Sequence, residues 1–304
     1  LDFFTDNFTN EVLDNVHRIS FCGDDGDPIY ATDFLDIIAY LKLVKPELSI
    51  QIVTNGSYKK PDWWAKLGRT LNHHDEIHWS IDGYSHESNE IYRVNSNFES
   101  ILTGIKSCNT TALKTWAAIY FKFNESKIDQ IVNIAASSGL DRVQLTKSTK
   151  FGYFYPNLQN SLNQQLEPTD KNLISTTGRF ERNIIHLTPR STSFNVNNTH
   201  AILKYHDVLK SRSGENIIPL CLIGTKGLYI NSQGYFVPCC WVANRYEPNY
   251  QDFLKSEFNI KERGIEAVIN SPLWAEFFNS MSTNKQCNEK CHRRNISERY
   301  ITDW

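Results

Sequence analysis

Arg18-Ile-Ser-Phe-Cys22, the polar turn Gly23-Asp-Asp-Gly-Asp-Pro28, the amphipathic run from Thr32 to Val44 and Ser49-Ile-Gln-Ile-Val-Thr54 read as strand, loop, helix and strand. Short β-rich runs joined by a helix of this length specify a parallel βαβ unit. The pattern continues outward. A helix is expected from Asp62 to Leu71, a strand over Glu76–Ile81, a helix near Asn97–Ser107 and a strand from Trp116 to Phe123. A helix from about Ser126 to Ser137 and a strand over Arg142–Thr146 complete five strands joined by four helices. Thr32 is placed as an N-cap, and Gly139, just past the fourth helix, as its C′ stop. The repeats share period but not sequence, so this is no solenoid.

Beyond the fifth strand the character changes. Residues 151–214 are rich in Asn, Ser, Thr and Gln and are read as an irregular connecting region. Residues 215–304 form a compact segment holding most of the cysteines. The organisation is thus a β/α domain over 1–150, a connector over 151–214 and a cysteine-rich α+β domain over 215–304.

The 304 residues carry 32 Lys+Arg against 34 Asp+Glu. That balance argues against non-specific nucleic-acid binding, which rests on a basic surplus. A hydrophobic share of 40%, with 7 Trp, 14 Tyr and 17 Phe, is enough for a packed core and argues against wholesale disorder. No apolar run reaches the ~20 residues of a membrane helix, and no signal peptide opens the chain. The expected location is the cytoplasm, with no membrane or nucleic-acid partner. The chain starts at Leu1 and its one Met is Met281, so a fragment or processed chain is expected. Three Asn-x-Ser/Thr triplets, at Asn7, Asn109 and Asn295, have little weight in a chain so rich in those residues.

Ligands of parallel β/α folds sit at the carboxyl ends of the strands. Read in order, those ends are Cys22-Gly-Asp-Asp-Gly-Asp-Pro28, Thr54-Asn-Gly56, Ser80-Ile-Asp-Gly83, Lys122-Phe-Asn124 and Thr146-Lys147. Each combines hydrogen-bonding groups with small residues. Gly23 and Gly26 allow close backbone approach to a ligand.

These blocks together resemble the radical S-adenosylmethionine (radical SAM) family, over most of the chain from His17 to Cys291. Phe21-Cys-Gly-Asp-Asp-Gly-Asp-Pro28 is similar to the Gly-Glu-Pro signature, with Asp27 where Glu is usual. Thr54-Asn-Gly56, Ser80-Ile-Asp-Gly83 and Ile91-Tyr-Arg93 are similar to the following blocks of members with a C-terminal SPASM or twitch domain. The resemblance implies a partial (β/α)6 TIM-like barrel that binds S-adenosylmethionine. The turn at Asp25, Gly26, Asp27 and Pro28 would hold its amino group. Thr54, Asn55, Ser80, Asp82 and Asn124 would line the same site, and Arg93 would reach its carboxylate through a planar fork.

The family's Cys-x3-Cys-x2-Cys loop, which holds the catalytic 4Fe–4S cluster, is not in this sequence. Five strands are visible where the family has six, so the first β/α unit and its cluster are placed upstream of Leu1. A natural pseudoenzyme or binding protein is the alternative, and an ordinary β/α-barrel enzyme is a third. Without that cluster the chain would not cleave S-adenosylmethionine reductively. The resemblance further implies a peptide or small-molecule substrate and an electron donor such as flavodoxin or ferredoxin.

The cysteines are unevenly placed. Cys22 and Cys108 are isolated, whereas Cys221, Cys239, Cys240, Cys287 and Cys291 cluster late in the chain. This is unlike a short, cysteine-dense secreted scaffold. Leu228–Val237 reads as a hairpin turning at Ser232-Gln-Gly234, whose closure would bring Cys221 near Cys239. Cys287 and Cys291 add a second pair. Four thiolates suit tetrahedral zinc or a 4Fe–4S cluster, and spacing does not choose between them. The resemblance implies an auxiliary iron–sulfur cluster. Cys240 is set aside, because adjacent residues seldom face one metal.

Other residues receive plainer roles. Cys22 is expected as a small core residue, Cys108 without function and His73-His-Asp75 as a solvated loop. Trp63-Trp64 is expected to pack its helix onto the sheet. A divalent-cation site at Asp24, Asp25 and Asp27 ranks below the cofactor turn.

Overall fold

The computed structural model describes residues 1–23, 26–148, 151, 164–176, 181–189, 229–240, 242–243, 248–280 and 287. It divides into two compact units: Arg18–Ser193, and Leu1–His17 together with Phe194–Trp304.

The first unit is built on one six-stranded sheet. Strands β1 (Arg18–Phe21), β2 (Ser49–Thr54), β3 (Glu76–Ser80), β4 (Leu113–Ile119) and β5 (Arg142–Lys147) lie side by side in chain order, all parallel. Helices α3 (Phe34–Val44), α4 (Pro61–Thr70), α6 (Phe98–Ser107) and α7 (Ile128–Ser137) connect them. A short helix, α5 (His86–Glu90), precedes α6. Strands added always on the same side by helical crossovers give the sequential order of a partial TIM-like barrel.

A sixth strand, β6 (Glu181–His186), pairs antiparallel with β5. It falls in the segment expected to be irregular. Glu-Arg-Asn-Ile-Ile-His has no alternation of apolar and polar residues, so nothing local marks it as a strand. The ladder to β5 supplies its stability.

The two sheet faces differ sharply. Ile50, Ile52, Ile77, Trp79, Trp116, Val143 and Leu145, all buried, point to the helix-covered face. Ring contacts fix this packing: Trp64 of α4 lies 5.6 Å from Trp79, Phe98 of α6 lies 6.2 Å from Trp116, and Phe34 of α3 lies 5.3 Å from Phe21. Trp63-Trp64 thus packs α4 onto the sheet, as expected. The close approach needs Gly104, where a Cβ would come within 2.4 Å of the Trp64 indole nitrogen.

Three local expectations are corrected. The N-cap of α3 is Asp33, not Thr32. The fourth strand is Leu113–Ile119 rather than 116–123, because Asn124 folds the next residues into a turn: its Oδ1 accepts from Phe121 N at 2.9 Å and its Nδ2 donates to Ile119 O at 2.8 Å. Cys22 is exposed, since β1 ends at Phe21. Gly139 does end α7, with φ +78° and hydrogen bonds Gly139 N to Ala136 O and Leu140 N to Ala135 O.

In the second unit, β7 (Tyr229–Ile230) and β8 (Phe236–Val237) form the expected hairpin. Asn231 Oδ1 accepts from Gln233 N and Tyr235 N, and Gly234 takes φ +93°. Behind it Phe236, Phe253, Phe258 and Trp274 make an aromatic core, with Phe258 and Trp274 4.8 Å apart. Two N-terminal helices, α1 (Asp2–Asn7) and α2 (Asn10–Asp14), belong to this unit. Asn7 Oδ1 accepts at 3.0 Å from Ile265 N, the first residue of the helix Ile265–Ile269. That helix has no side-chain cap of its own, so Asn7 caps it from a distant part of the sequence. No helix among the described residues is long and apolar enough to cross a membrane.

Candidate functional site

The loops after β1 and β2 are joined by one carboxylate. Asp27 Oδ2 accepts from Asn55 N at 2.6 Å and Thr54 Oγ1 at 2.8 Å, while Oδ1 accepts from Ile29 N at 3.3 Å. Asp27 thereby caps the short helical turn Pro28–Tyr30 and ties it to the end of β2. Burial raises its pKa against the opposing pull of the Asn55 and Thr54 donors and the Arg93 charge. Thr54 Oγ1 also accepts from Gly56 N at 2.9 Å. Gly56 has φ +73°, and a Cβ there would meet the Trp79 ring at 2.6 Å, so glycine is required twice over.

A second knot joins the ends of β3 and β4. Asp82 is fully buried, accepting from Ile119 N at 2.7 Å and from Arg93 Nε at 2.6 Å. Asn89 Oδ1 accepts from Asp82 N and Gly83 N, both at 3.0 Å. Asn124, also fully buried, donates to Asp82 O at 2.8 Å. Asp82 and Asn124 are therefore committed within the protein. The groups of this rim that reach solvent are Gly26, Asp27, Pro28, Asn55, Ser80 and part of Arg93. Ser80 Oγ makes no hydrogen bond among the described residues. Asp24 and Asp25 lie outside those residues. The structure brings Asp27 to Thr54 and Asn55, and Asp82 to Arg93 and Asn124, with the Arg93 charge felt at Asp27.

Two tyrosine contacts support the same rim. Tyr30 donates to Ser57 O at 2.8 Å, and Tyr58 donates to Asn95 O at 2.6 Å. Tyr58 and Asn95 both have positive φ, 66° and 61°. Two left-handed non-glycine residues linked by one hydrogen bond is a form of strain that concentrates at functional sites.

One feature escaped sequence reading. The face of the sheet opposite the helices is polar. Glu76 Oε2 accepts from His78 Nε2 at 2.8 Å, Arg18 at 3.3 Å and Gln51 at 3.3 Å, and Arg142 lies 3.5 Å away. Arg142 Nε donates to Thr115 Oγ1 at 2.8 Å and Ser20 Oγ to Gln51 Oε1 at 2.7 Å. Burial works to raise the pKa of Glu76. The His78 hydrogen bond and charge and the two arginines outweigh it, holding that carboxyl at about 2. Burial lowers that of His78. The signal was alternation: Ser49-Ile-Gln-Ile-Val and Glu76-Ile-His-Trp-Ser interleave polar and apolar residues, whereas a parallel strand covered on both faces reads as a continuous apolar run.

In the second unit Cys239 follows β8 by two residues and is buried, and its carbonyl accepts from Val242 N at 3.2 Å and Ala243 N at 3.1 Å. Cys287 is buried and Cys240 half-buried. Cys221 and Cys291 lie outside the described residues. Two buried thiols in this unit have the soft-donor chemistry that an iron–sulfur cluster or zinc takes. Cys108 is buried, with its thiol pushed up to about 12 by burial, the state of an inert structural cysteine.

Comparison with known proteins adds to this geometry. A sequence-family model for the SPASM iron–sulfur cluster-binding domain matches residues 221–293. No curated protein sequence matches the chain. Among solved structures, Streptococcus suis SuiB bound to S-adenosylmethionine is 14% identical, with 90% of this chain and 58% of that chain covered and a TM-score of 0.46. A native anSMEcpe structure with bound AdoMet is 12% identical, with 93% and 78% covered and a TM-score of 0.44. Archaeal TYW1 is 16% identical over 43% of each chain, with a TM-score of 0.33. The chain thus spans less than two thirds of the length of SuiB and of TYW1. The family match thus assigns residues 221–293, less than half of the chain, a likeness to iron–sulfur cluster-binding SPASM domains.

Proposed function

We propose that the chain is the greater part of a radical SAM enzyme of the SPASM type, acting on a peptide or small molecule. The observation that carries this reading is a parallel β/α sheet with its strand-end loops tied into one polar rim, in a chain that also holds a SPASM domain. Bound S-adenosylmethionine, together with a reducing 4Fe–4S cluster, would supply one-electron radical chemistry for removing a hydrogen atom from a substrate. The chain's own residues have the rest of the task.

The exposed turn at Gly26, Asp27 and Pro28 offers backbone groups to an amine. The half-exposed Ser80 hydroxyl and the Asn55 side-chain amide, whose Oδ1 accepts from Ser57 N at 2.9 Å while its Nδ2 can donate, offer hydrogen bonds to polar cofactor atoms, and these groups fit a zwitterion. Arg93, anchored through Nε by Asp82, retains a fork for a carboxylate. Asp82 and Asn124 act as positioning residues, fixing the β3 and β4 ends from beneath. Asp27 is one methylene shorter than glutamate, and its Oδ2 is taken by Thr54 and Asn55. Its side chain therefore shapes the turn, and the backbone is the part that meets the ligand.

In the second unit, Cys221, Cys239, Cys287 and Cys291 would hold the auxiliary cluster, with zinc as the competing occupant. The cluster that reduces the cofactor would sit on a further β/α unit beside β1, the outermost strand of the sheet among the described residues. An electron donor such as flavodoxin or ferredoxin would feed it.

The test uses two proteins. The chain as given should bind S-adenosylmethionine in a calorimeter without releasing 5′-deoxyadenosine under reducing conditions. The full coding region, with a Cys-x3-Cys-x2-Cys loop upstream and reconstituted with iron and sulfide, should release it. A start codon immediately before Leu1, or 5′-deoxyadenosine from the chain alone, overturns the reading.

A further inference from the structure

The segment that carries Arg93 is held on both sides. Asn89, near the end of α5, is fully buried, and each of its polar atoms is hydrogen-bonded. Its Oδ1 accepts from Asp82 N and Gly83 N at 3.0 Å, and its Nδ2 donates to Ser96 Oγ at 2.8 Å. Its carbonyl accepts from Arg93 N at 2.9 Å, and its own N–H donates to Ser85 O. Beyond Arg93, Ser96 N donates to Arg93 O at 3.0 Å, Asn97 N to Ser57 Oγ at 3.2 Å and Tyr58 Oη to Asn95 O at 2.6 Å.

One residue therefore fixes both partners of an ion pair. Asn89 holds the Arg93 backbone through its carbonyl and the Asp82 backbone through its side chain, and Arg93 Nε meets Asp82 Oδ2 at 2.6 Å. The orientation of the Asn89 amide is dictated by its partners. Two backbone N–H groups point at one of its atoms, which has to be the oxygen, and the nitrogen is left to donate to Ser96. Aspartate at this position would have no N–H for Ser96, and an aliphatic side chain would satisfy neither partner.

Arg93 is the exposed member of the pair. Its side chain is 28% exposed, and its Nη groups have no hydrogen-bond partner among the described residues. Its charge acts on Asp27, so the guanidinium lies near the turn that offers backbone groups to an amine. A planar fork recognises a carboxylate only when its plane is set, because the side chain is otherwise rich in rotamers. The strand beneath does not depend on Asn89. Ile81 N donates to Ala117 O at 2.9 Å, and Ile81 O accepts from Trp116 Nε1 at 2.8 Å. Loss of the Asn89 amide thus releases the Asp82–Gly83 turn and leaves β3 in place.

We propose that Asn89 is a positioning residue for Arg93, setting the guanidinium fork for the α-carboxylate of S-adenosylmethionine, with Ser96 holding the Asn89 amide in place. Asn89 is fully buried and touches no ligand, so it acts through Asp82 and Arg93. The inference rests on the proposed function and deepens it. It assigns the preference for a carboxylate-bearing nucleoside over a decarboxylated one to a residue behind the rim.

The test titrates the chain in a calorimeter with S-adenosylmethionine and with decarboxylated S-adenosylmethionine. The parent should bind the carboxylate form about tenfold more tightly. Asn89→Ala should bring the two affinities together by weakening S-adenosylmethionine alone, and Arg93→Met should do the same. The double variant should lose no more than either single one, because both act through one contact. Ser96→Ala should lose part of the preference, and Ser96→Thr, which keeps the hydroxyl, should retain it. Equal weakening of both ligands by Asn89→Ala is what a merely structural role predicts, and it overturns the inference. So does an undiminished preference in Asn89→Ala, additive losses in the double variant, or a parent that binds both forms equally. If Asn89→Ala is insoluble, Ser96→Ala decides, and an unchanged preference there overturns the inference. A parent that binds neither nucleoside overturns the enzyme reading and this inference with it, whereas a preference that survives Asn89→Ala overturns this inference alone.

Discussion

At the scale of single residues, the ends of β3 and β4 depend on side chains that replace backbone ladders. Asn124 satisfies Phe121 N, Asp82 O and Ile119 O with one amide. Asn124→Ala removes the side-chain partner of two buried backbone groups and one part-buried one and should cost about 2–4 kcal/mol, read as a lower urea midpoint for the β/α unit. Asn124→Asp, which can accept from Phe121 N but not donate, should recover only part of that. Gly83 is less forgiving. A Cβ there would sit 2.1 Å from Asn89 N, a backbone atom that cannot swing away, so Gly83→Ala should abolish soluble expression or move the α5 loop, visible as faster amide exchange over His86–Glu90. If Gly83→Ala behaved as the parent in both assays, the packing of α5 described above would be wrong.

Two elements invite tests of their own. The polar ladder of β1, β2, β3 and β5 makes stability depend on pH in two windows. His78 is held below its usual pKa by burial, so its contribution is complete above about pH 6.5 and declines as pH falls below that. Glu76 is held at about 2, so its contribution is complete above its ordinary value of 4.5 and is lost as pH falls toward 2. Chemical unfolding between pH 4.5 and 8 should show the first window, and His78→Gln should flatten it. A parallel pH profile in that variant would assign the slope to other groups. The second element is the helix Ile265–Ile269. Asn7→Ala removes its cap and should cost about 1 kcal/mol, with faster amide exchange at Ile265 and little change in the sheet. Faster exchange spread evenly over the sheet would show that Asn7 does not act through this helix.

For the whole molecule, two compact units predict two responses to metal removal. Burial of thiolates is cheap only when metal pairs with them, so ligation should contribute to the folding of the SPASM unit. A chelator, or Cys287→Ser, should loosen residues 219–304 in limited proteolysis while the sheet of Arg18–Ser193 persists. Absorbance in the iron–sulfur charge-transfer region of the anaerobically reconstituted protein should separate a cluster from colourless zinc. Simultaneous melting of both units on chelation would show that the metal supports the entire chain.

Sequence alone determined the parallel β/α architecture, because helix and strand periods, Gly139 and the strand-end glycines are local signals set by neighbours in the chain. It also determined the C-terminal hairpin, since Asn231 to Gly234 is a self-contained turn. The strand-end blocks were legible as a group for the same reason: each lies where a period breaks. What needed tertiary structure were partnerships across long separations. Nothing near Glu181–His186 marks it as a strand, because its ladder is formed with β5, far away in sequence. The commitment of Asp82 and Asn124 to the protein follows from 42 residues of separation closing to one hydrogen bond. Asn7 and Ile265, 258 residues apart, meet only because the second unit is assembled from both ends of the chain. The polar network of Gln51, Glu76, His78 and Arg142 also arises in the tertiary structure alone, since register between strands decides which polar side chains stand together.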